Sequence, residues 1–325
     1  MSALQRLPAW IWSALVLGLL VLITGILQPN FLSAANLSQI VESNAPLGIV
    51  AVGMTLVILL GGIDLSVGSL LAFAGAVGIL ALNASGSFLV TAAVTVGVAS
   101  LGGLLHGGLI GYGKIAPFIA TLGTLVAFRS AAVLLADGGM VPAEENAIFR
   151  ALGGGIAIPG TDIAPGPARV PYRIPYAGLA FIAVAVVGHV VITRTVFGRK
   201  LVAVGSNETA ARFSGLHVER VKLMTYVLLG VCVGIGALLL ASDFESINTA
   251  NSGTLLELDA IAAVVIGGTR MTGGRGSVVG TVIGVLLLGV IRNVMVFLGI
   301  PDDARGLVTG AIIIAAVLVQ KLSRE

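Results

Sequence analysis

The residues able to do chemistry in this chain are few and scattered. His106, His189 and His217 stand far apart, and no His-Glu-x-x-His pair exists to hold zinc. The single cysteine, Cys232, sits in an apolar run, where alone it makes neither an internal disulfide nor a Cys-type zinc site. There is no Gly-x4-Gly-Lys-Ser/Thr phosphate loop and no Gly-x-Ser-x-Gly elbow. The reading is therefore no catalytic residues, no metal and no cofactor, and a chain that cannot hydrolyse ATP by itself. Active transport, if it occurs, draws on an ion gradient or on another subunit.

What remains are isolated charges beside apolar runs. Glu42 and Asp64 flank the second run, Asp243, Glu245, Glu257 and Asp259 bracket the eighth, and Arg129 and Arg292 lie inside runs. Ionisable groups at membrane depth are costly and tend to mark solute paths. Asp64 reads either as a carboxylate capping the helix that follows or as a gate. Glu257 and Asp259 read either as complements to a helix N-terminus or as path residues. Arg129 can pair with an acid, snorkel or face a polar cavity.

The elements that position these groups follow from composition. Of 325 residues, 57% are hydrophobic and only 10% are charged, and the mean hydropathy is +1.08. A soluble domain carries about 25% charged residues, so a water-covered globule is excluded, and so is disorder. The apolar runs are continuous rather than alternating, which excludes a transmembrane barrel. The chain is expected to be an all-α polytopic membrane protein with about ten transmembrane helices in one domain, 1–325. The runs are 10–27, 45–60, 67–82, 88–110, 116–136, 176–193, 223–241, 260–268, 278–298 and 306–320. The first reads as an uncleaved helix, with a signal peptide cleaved near Ser33-Ala34-Ala35 as the alternative. The eighth run spans about 13 Å as a helix, so it either starts earlier or is re-entrant.

With a cytoplasmic N-terminus, the inner segments hold twelve of the 18 basic residues and the outer segments four, a positive-inside bias that also places the C-terminus in the cytoplasm. This accounts for the net charge of +3 through the lipid bilayer rather than through nucleic acid. Residues 137–175 hold six of the eleven prolines and read as an outer loop without long regular structure. Residues 194–222 form a basic cytoplasmic loop. At its centre a short helix is capped by Ser206 or Asn207, carries Ala210, Ala211 and Phe213 on an apolar face, and ends at Gly215. Such a helix packs either on its own chain or on a partner.

Small residues recur at four-residue spacing at Gly103, Gly107 and Gly111, at Gly230 and Gly234, at Gly276, Gly280 and Gly284, and at Gly306 and Gly310, which predicts smooth helix-packing seams. The run from Val57 to Gly62 echoes the run from Ala263 to Gly268, consistent with a duplicated half.

Three blocks together carry a resemblance. They are Gly61-Gly62-Ile63-Asp64-Leu65-Ser66-Val67-Gly68-Ser69, the run from Glu257 to Gly267-Gly268-Thr269, and Gly198-Arg199 followed by Ala203-Val204-Gly205-Ser206-Asn207-Glu208 and Gly215-Leu216. The chain resembles the permease subunits of bacterial sugar ABC importers of the ribose, xylose, galactose and galactofuranose type, within the branched-chain permease superfamily. The resemblance covers nearly the whole chain.

The resemblance implies a helical permease fold of the cobalamin-importer type in the bacterial inner membrane. It also implies a second permease subunit, a periplasmic sugar-binding protein, and a cytoplasmic ATP-binding protein that holds the ATP. Gly205, Ser206, Asn207, Glu208, Ala211, Arg212, Gly215 and Leu216 would couple to that ATPase, through a helix continuous with the spans on either side. Asn44, Gly61, Gly62, Asp64, Ser66, Asn248, Glu257 and Asp259 are the candidates for the translocation path or gate. A monosaccharide would cross by alternating access. The alternative is an ion-coupled secondary transporter acting without an ATPase.

Overall fold

A computed structural model describes residues 10–136, 139–162 and 171–301, and positions 304, 306, 307, 310 and 311. The helices are α1 (Trp10–Leu27), α2 (Ala34–Leu59), α3 (Val67–Ser85), α4 (Phe88–Gly111), α5 (Pro117–Leu135), α6 (Ala147–Leu152), α7 (Tyr176–Arg194), α8 (Val196–Ser206), α9 (Glu208–Phe213), α10 (Val218–Asp243), α11 (Leu256–Ile266) and α12 (Val278–Phe297). Short strands β1 (Met140–Pro142), β2 (Gly155–Asp162), β3 (Pro171–Pro175) and β4 (Ser246–Asn248) and a 3-10 turn, Pro29–Leu32, accompany them. Among the described residues, eight helices are long and apolar enough to cross a membrane: α1 to α5, α7, α10 and α12.

Helix α2 is the centre. From Ala45 to Leu59 it is apolar on every side, and a helix with no polar stripe is one that is covered all round. It packs on α7, α10, α11 and α12. Ser33 starts it, its Oγ accepting from the Asn36 N–H at 3.3 Å. At 26 residues it is about 39 Å long. One hydrophobic core runs from α2 through α3, α10, α11 and α12. By contrast, α1, α5 and α7 leave most of their large apolar side chains exposed, as lipid-facing helices do.

Two of the predicted glycine seams are present, between α4 and α10 and at the start of α12. A Cβ on Gly103 would lie 2.2 Å from the Tyr226 oxygen and one on Gly107 2.7 Å from the Leu223 Cα, while α10 returns the contact with Gly230 at 2.4 Å from the Ala99 oxygen and Gly234 at 2.6 Å from the Val96 Cα. Helices α4 and α10 thus run antiparallel at backbone contact, where close van der Waals packing replaces the missing hydrophobic drive between helices in lipid. Gly280 and Gly284 do the same for α12 against Gly267 and Ala263 of α11. Gly276 lies in the loop before α12, and Gly306 and Gly310 meet nothing within 4 Å.

Several expectations change. The eighth run does start earlier, at Leu256, so α11 contains Glu257 and Asp259. At 11 residues it is still only about 16 Å long and crosses half a membrane core. The tenth expected run, 306–320, lies largely outside the described residues. The proline-rich segment contains short elements: β2 and β3 form an antiparallel hairpin, and β1 pairs with β4 with Val141 opposite Ile247. Proline bounds β1 and β3, which keeps these pieces short. In the basic loop, a helix the sequence reading missed, α8, precedes the expected one. Thr195 caps it, its Oγ1 accepting from the Gly198 N–H at 3.1 Å.

Substitutions in the α4–α10 seam test this packing. Gly230→Val, which overpacks at a cost of about 1–3 kcal/mol, is expected to lower the thermal midpoint in detergent by several degrees. Gly108→Ala, with nothing within 4 Å, is expected to leave it unchanged. Equal midpoints for the two variants, measured by tryptophan fluorescence, would show that the seam is loose.

Candidate translocation and coupling site

Two helix ends meet at one pole of the molecule. Helix α2 closes with Gly61 at φ +84°, the Gly61 N–H donating to the Ile58 oxygen at 2.9 Å and the Gly62 N–H to the Val57 oxygen at 3.0 Å. Helix α11 closes the same way: Gly268 has φ +91°, its N–H reaches the Val265 oxygen at 2.9 Å, and the Thr269 N–H reaches the Val264 oxygen at 3.2 Å. Both are left-handed caps that satisfy carbonyls otherwise orphaned at a helix end. The structural match pairs Gly61 with Gly268, one residue away from the pairing that the sequence echo suggested.

The loop after α11 then seals α2. The Gly274 N–H donates to the Leu59 oxygen at 2.9 Å. Over this contact lies the end of α8: a Cβ on Gly205 would fall 1.8 Å from the Leu59 oxygen, and one on Gly273 2.6 Å from the Gly205 oxygen. Three segments far apart in sequence therefore touch backbone to backbone, and no side chain fits between them.

From this junction the chain leads directly to α9. Of the two cap candidates, Asn207 is the one used: its Oδ1 accepts from the Ala210 N–H at 2.9 Å, while Ser206 ends α8. Gly215 has φ +80° and the Leu216 N–H returns to the Ala211 oxygen at 3.1 Å, so the expected glycine stop is present. Of the expected apolar face only Ala211 is buried; Ala210 is exposed and Phe213 is 88% exposed. Glu208 pairs with Lys222 at 2.9 Å and with Arg212 at 3.5 Å, and Arg212 pairs with Glu219, which orients α9 on the start of α10. The hydrogen bond to Glu219 pushes the Arg212 guanidinium above its ordinary value. A groove of about 490 Å³ lies between Glu208, Arg212 and Lys222 on one side and Lys114 to Pro117 on the other. The element is not continuous with the neighbouring spans, because Thr195, Asn207 and the turn at Ser214–His217 break the helix three times. It reaches the core through the junction at the end of α8, through buried Ala211, and through its ion pairs with the start of α10.

Beyond Gly62 the chain turns inward to a buried polar cluster. Asp64 does not cap α3 through its first-turn amides. Its Oδ1 accepts from the Ser66 N–H at 2.8 Å and the Ser66 Oγ at 2.7 Å, fixing the residue that starts α3. Its Oδ2 lies 3.2 Å from Nδ1 of His106 on α4, off the line of a hydrogen bond. Nε2 of His106 is 2.6 Å from Oγ1 of Thr124 on α5. Asp64, Ser66 and His106 are each no more than 1% exposed. With the proton on Nδ1, the imidazole faces the carboxylate and accepts from Thr124; doubly protonated, it forms an ion pair. Either form joins the α2–α3 break to α4 and α5. The hydroxyl of Tyr226 is buried beside Gly62 without a hydrogen-bond partner among the described residues.

The other candidates separate. Asn44 is packed under Gly289, its Nδ2 donating to the Ile40 oxygen at 2.8 Å. Asn248 turns the chain after β4, its Oδ1 accepting from the amides of Ala250 and Asn251. Asp259 forms an ion pair with Arg292 of α12. Glu257 stands apart from that pair, its Oε2 2.8 Å from where a Cβ on Gly68 would sit. Among the described residues Arg129 forms no salt bridge, although its charge acts on Glu257; its Nη1 donates to the Thr249 and Ser252 oxygens, each at 2.9 Å. His106 and the Gly273–Gly274 loop were missed from sequence. The usable signal for His106 was its place on the small-residue face of α4, between Gly103 and Gly107.

Eight helices long and apolar enough to cross a membrane, the half-length α11 and the exposed, capped α9 define a multi-pass membrane protein. The family model for the branched-chain amino acid transport system / permease component matches residues 36–317. The ribose import permease protein of Bacillus subtilis is 38% identical over 305 residues, covering 93% of this chain and 90% of that protein. The ribose import permease protein of Escherichia coli K12 is 36% identical, with 96% and 94% covered. The xylose transport system permease protein of the same organism is 31% identical, with 98% and 93% covered. No solved structure matches. The chain belongs to this permease family.

The Asp64–His106 pair yields a stability prediction. Removing one partner of a buried pair costs about 3–5 kcal/mol. Asp64→Ala and His106→Ala should each lower the thermal midpoint strongly, while the double variant should lose clearly less than the two together. Additive losses in this cycle would show that the two groups do not interact.

Proposed function

We propose that the chain is the membrane-spanning subunit of an ATP-driven importer that passes a monosaccharide through the bacterial inner membrane. The observation that carries this reading is α9: a short helix, capped at both ends and exposed on all but one side, that stands on the backbone junction holding α2 and the loop after α11. A helix with so little contact to its own chain is shaped to meet another. The ribose and xylose permeases named above supply the class of solute, and the ABC arrangement of that family supplies the partners.

In this reading an ATP-binding protein seats on α9 around exposed Phe213, with Glu208, Arg212 and Lys222 beside it. It also places both termini in the cytoplasm. A sugar-binding protein docks at the opposite pole, where β1–β4 and the β2–β3 hairpin lie, and a second permease subunit completes the path. ATP binding shifts α9 and α8, and the contact between Gly205 and Leu59 passes the shift to the end of α2 and to the loop after α11. The path then opens to alternate sides, as a neutral solute requires in order to move without a leak.

Uptake by proteoliposomes tests this. Labelled pentose should accumulate only with ATP inside and with both partner proteins present. Glu208→Arg sets a third cation beside Arg212 and Lys222, and should cut ATP-driven uptake by about tenfold or more without lowering the amount of inserted protein. Uptake by this chain alone, driven by a proton or sodium gradient, would instead support the secondary transporter.

A further inference from the structure

The chain leaves β4 at Asn248, turns through residues 249–255 without helix or strand, and enters α11 at Leu256. The far end of α11 is fixed at the junction pole, so Leu256 stands about 16 Å inward of it, near the middle of a core about 30 Å thick. Irregular backbone at that depth is tolerated only where it is buried in protein or lines water. One side of the turn is buried in protein. Arg129 holds the Thr249 and Ser252 carbonyls, and Gly253 lies against the Gly68 backbone, with a Cβ there 2.3 Å from the Gly68 oxygen.

The other side is open. Asn251 and Thr254 are exposed, Leu255 is 57% exposed and Leu258 50%. Leu255 also has φ +62°, a left-handed conformation costly for leucine, which persists only where the surroundings impose it. The two acids of the first turn of α11 differ. Asp259 is neutralised by Arg292, whereas Glu257 forms no salt bridge among the described residues, is partly buried beside Gly68 and feels the Arg129 charge only at longer range. Lipid against this side would leave the polar turn, and the partly exposed Glu257 at its margin, without solvation, at several kcal/mol for each group.

We propose that the open side of residues 250–258 faces water inside the translocation path, and that Glu257 is a solute-contacting residue that accepts hydrogen bonds from the hydroxyl groups of a neutral sugar. A carboxylate outside any salt bridge suits this task, because it offers several acceptor sites to a polyol and no covalent chemistry. Arg129 is then a positioning residue that holds the turn in place through the Thr249 and Ser252 carbonyls, while its charge acts on Glu257 without a salt bridge to it. The role given to Glu257 rests on the sugar-importer reading; the water-facing side does not.

The test uses the full-length chain in its assembled complex with Cys232, the only native cysteine, replaced by serine. Single cysteines at Asn251, Thr254 and Glu257, and control cysteines at Leu122 and Leu134 on the apolar outside of α5, are exposed to a charged, membrane-impermeant thiosulfonate. Labelling at Asn251→Cys and Thr254→Cys should be at least about tenfold faster than at the controls, and sugar with ATP should slow labelling of Glu257→Cys. Unlabelled positions 251 and 254 would overturn the water-facing side. In uptake assays Glu257→Leu should lose about tenfold or more at wild-type complex yield, and Glu257→Gln should fall in between. Wild-type uptake by Glu257→Leu would overturn its role. Labelling without any ATP-driven sugar uptake by the wild-type complex would sink the importer reading and leave the water-facing side standing.

Discussion

Hydrocarbon offers a peptide group nothing to bond with, and this chain breaks its helices within or at the edge of it, between α2 and α3 and again before α11. Each break has a specific remedy. After α2, a left-handed glycine cap and the Gly274 amide take the last carbonyls. Before α11, the Arg129 guanidinium takes two carbonyls of the turn. At the start of α3, the Asp64 carboxylate takes the amide and hydroxyl of Ser66. The charged residues within the apolar runs are therefore explained first by what they repair. Asp64 and Arg129 are anchors for irregular backbone, and Asp259 with Arg292 joins α11 to α12.

The repairs also connect. The junction that caps α2 carries α8, and through it the protruding α9. The polar cluster beyond Gly62 joins the same break to α4 and α5 through His106 and Thr124. Surface ion pairs around Glu208 contribute little stability, commonly below about 1 kcal/mol each, and serve to orient α9. The backbone contacts at Gly205, Gly273 and Gly274 are of another kind. They leave no slack, so a displacement of α8 has to move Leu59 or part from it. Side-chain contacts can repack under a push; backbone against backbone cannot.

Local patterns made much of this readable in advance. Unbroken apolar runs gave the long helices, four-residue glycine spacing gave the seams, and Asn207 and Gly215 gave both ends of α9. Helix α8 was missed because it begins directly after Thr195 and carries Arg199 and Lys200, which read as loop charges. The short strands were missed because two of them hold only three residues each. The site depended on contacts that no local pattern contains: Asp64 with His106, Arg129 with the 249–252 turn, Asp259 with Arg292, and Gly205 with Leu59. Each joins elements brought together only by folding, and the one-residue shift between the Gly61 and Gly268 caps shows how a real duplication of geometry can be misaligned by a cheap glycine pair.

The central claim is that α8, the end of α2 and the loop after α11 travel as one body when α9 is pushed. Amide hydrogen exchange at Gly274, the donor to Leu59, reports on that contact without altering it. In the assembled complex the Gly274 amide should stay equally protected in the absence of nucleotide, with ATP bound and during turnover. Faster exchange in any of those conditions would mean that the junction opens, and that the stroke reaches the membrane helices by another route.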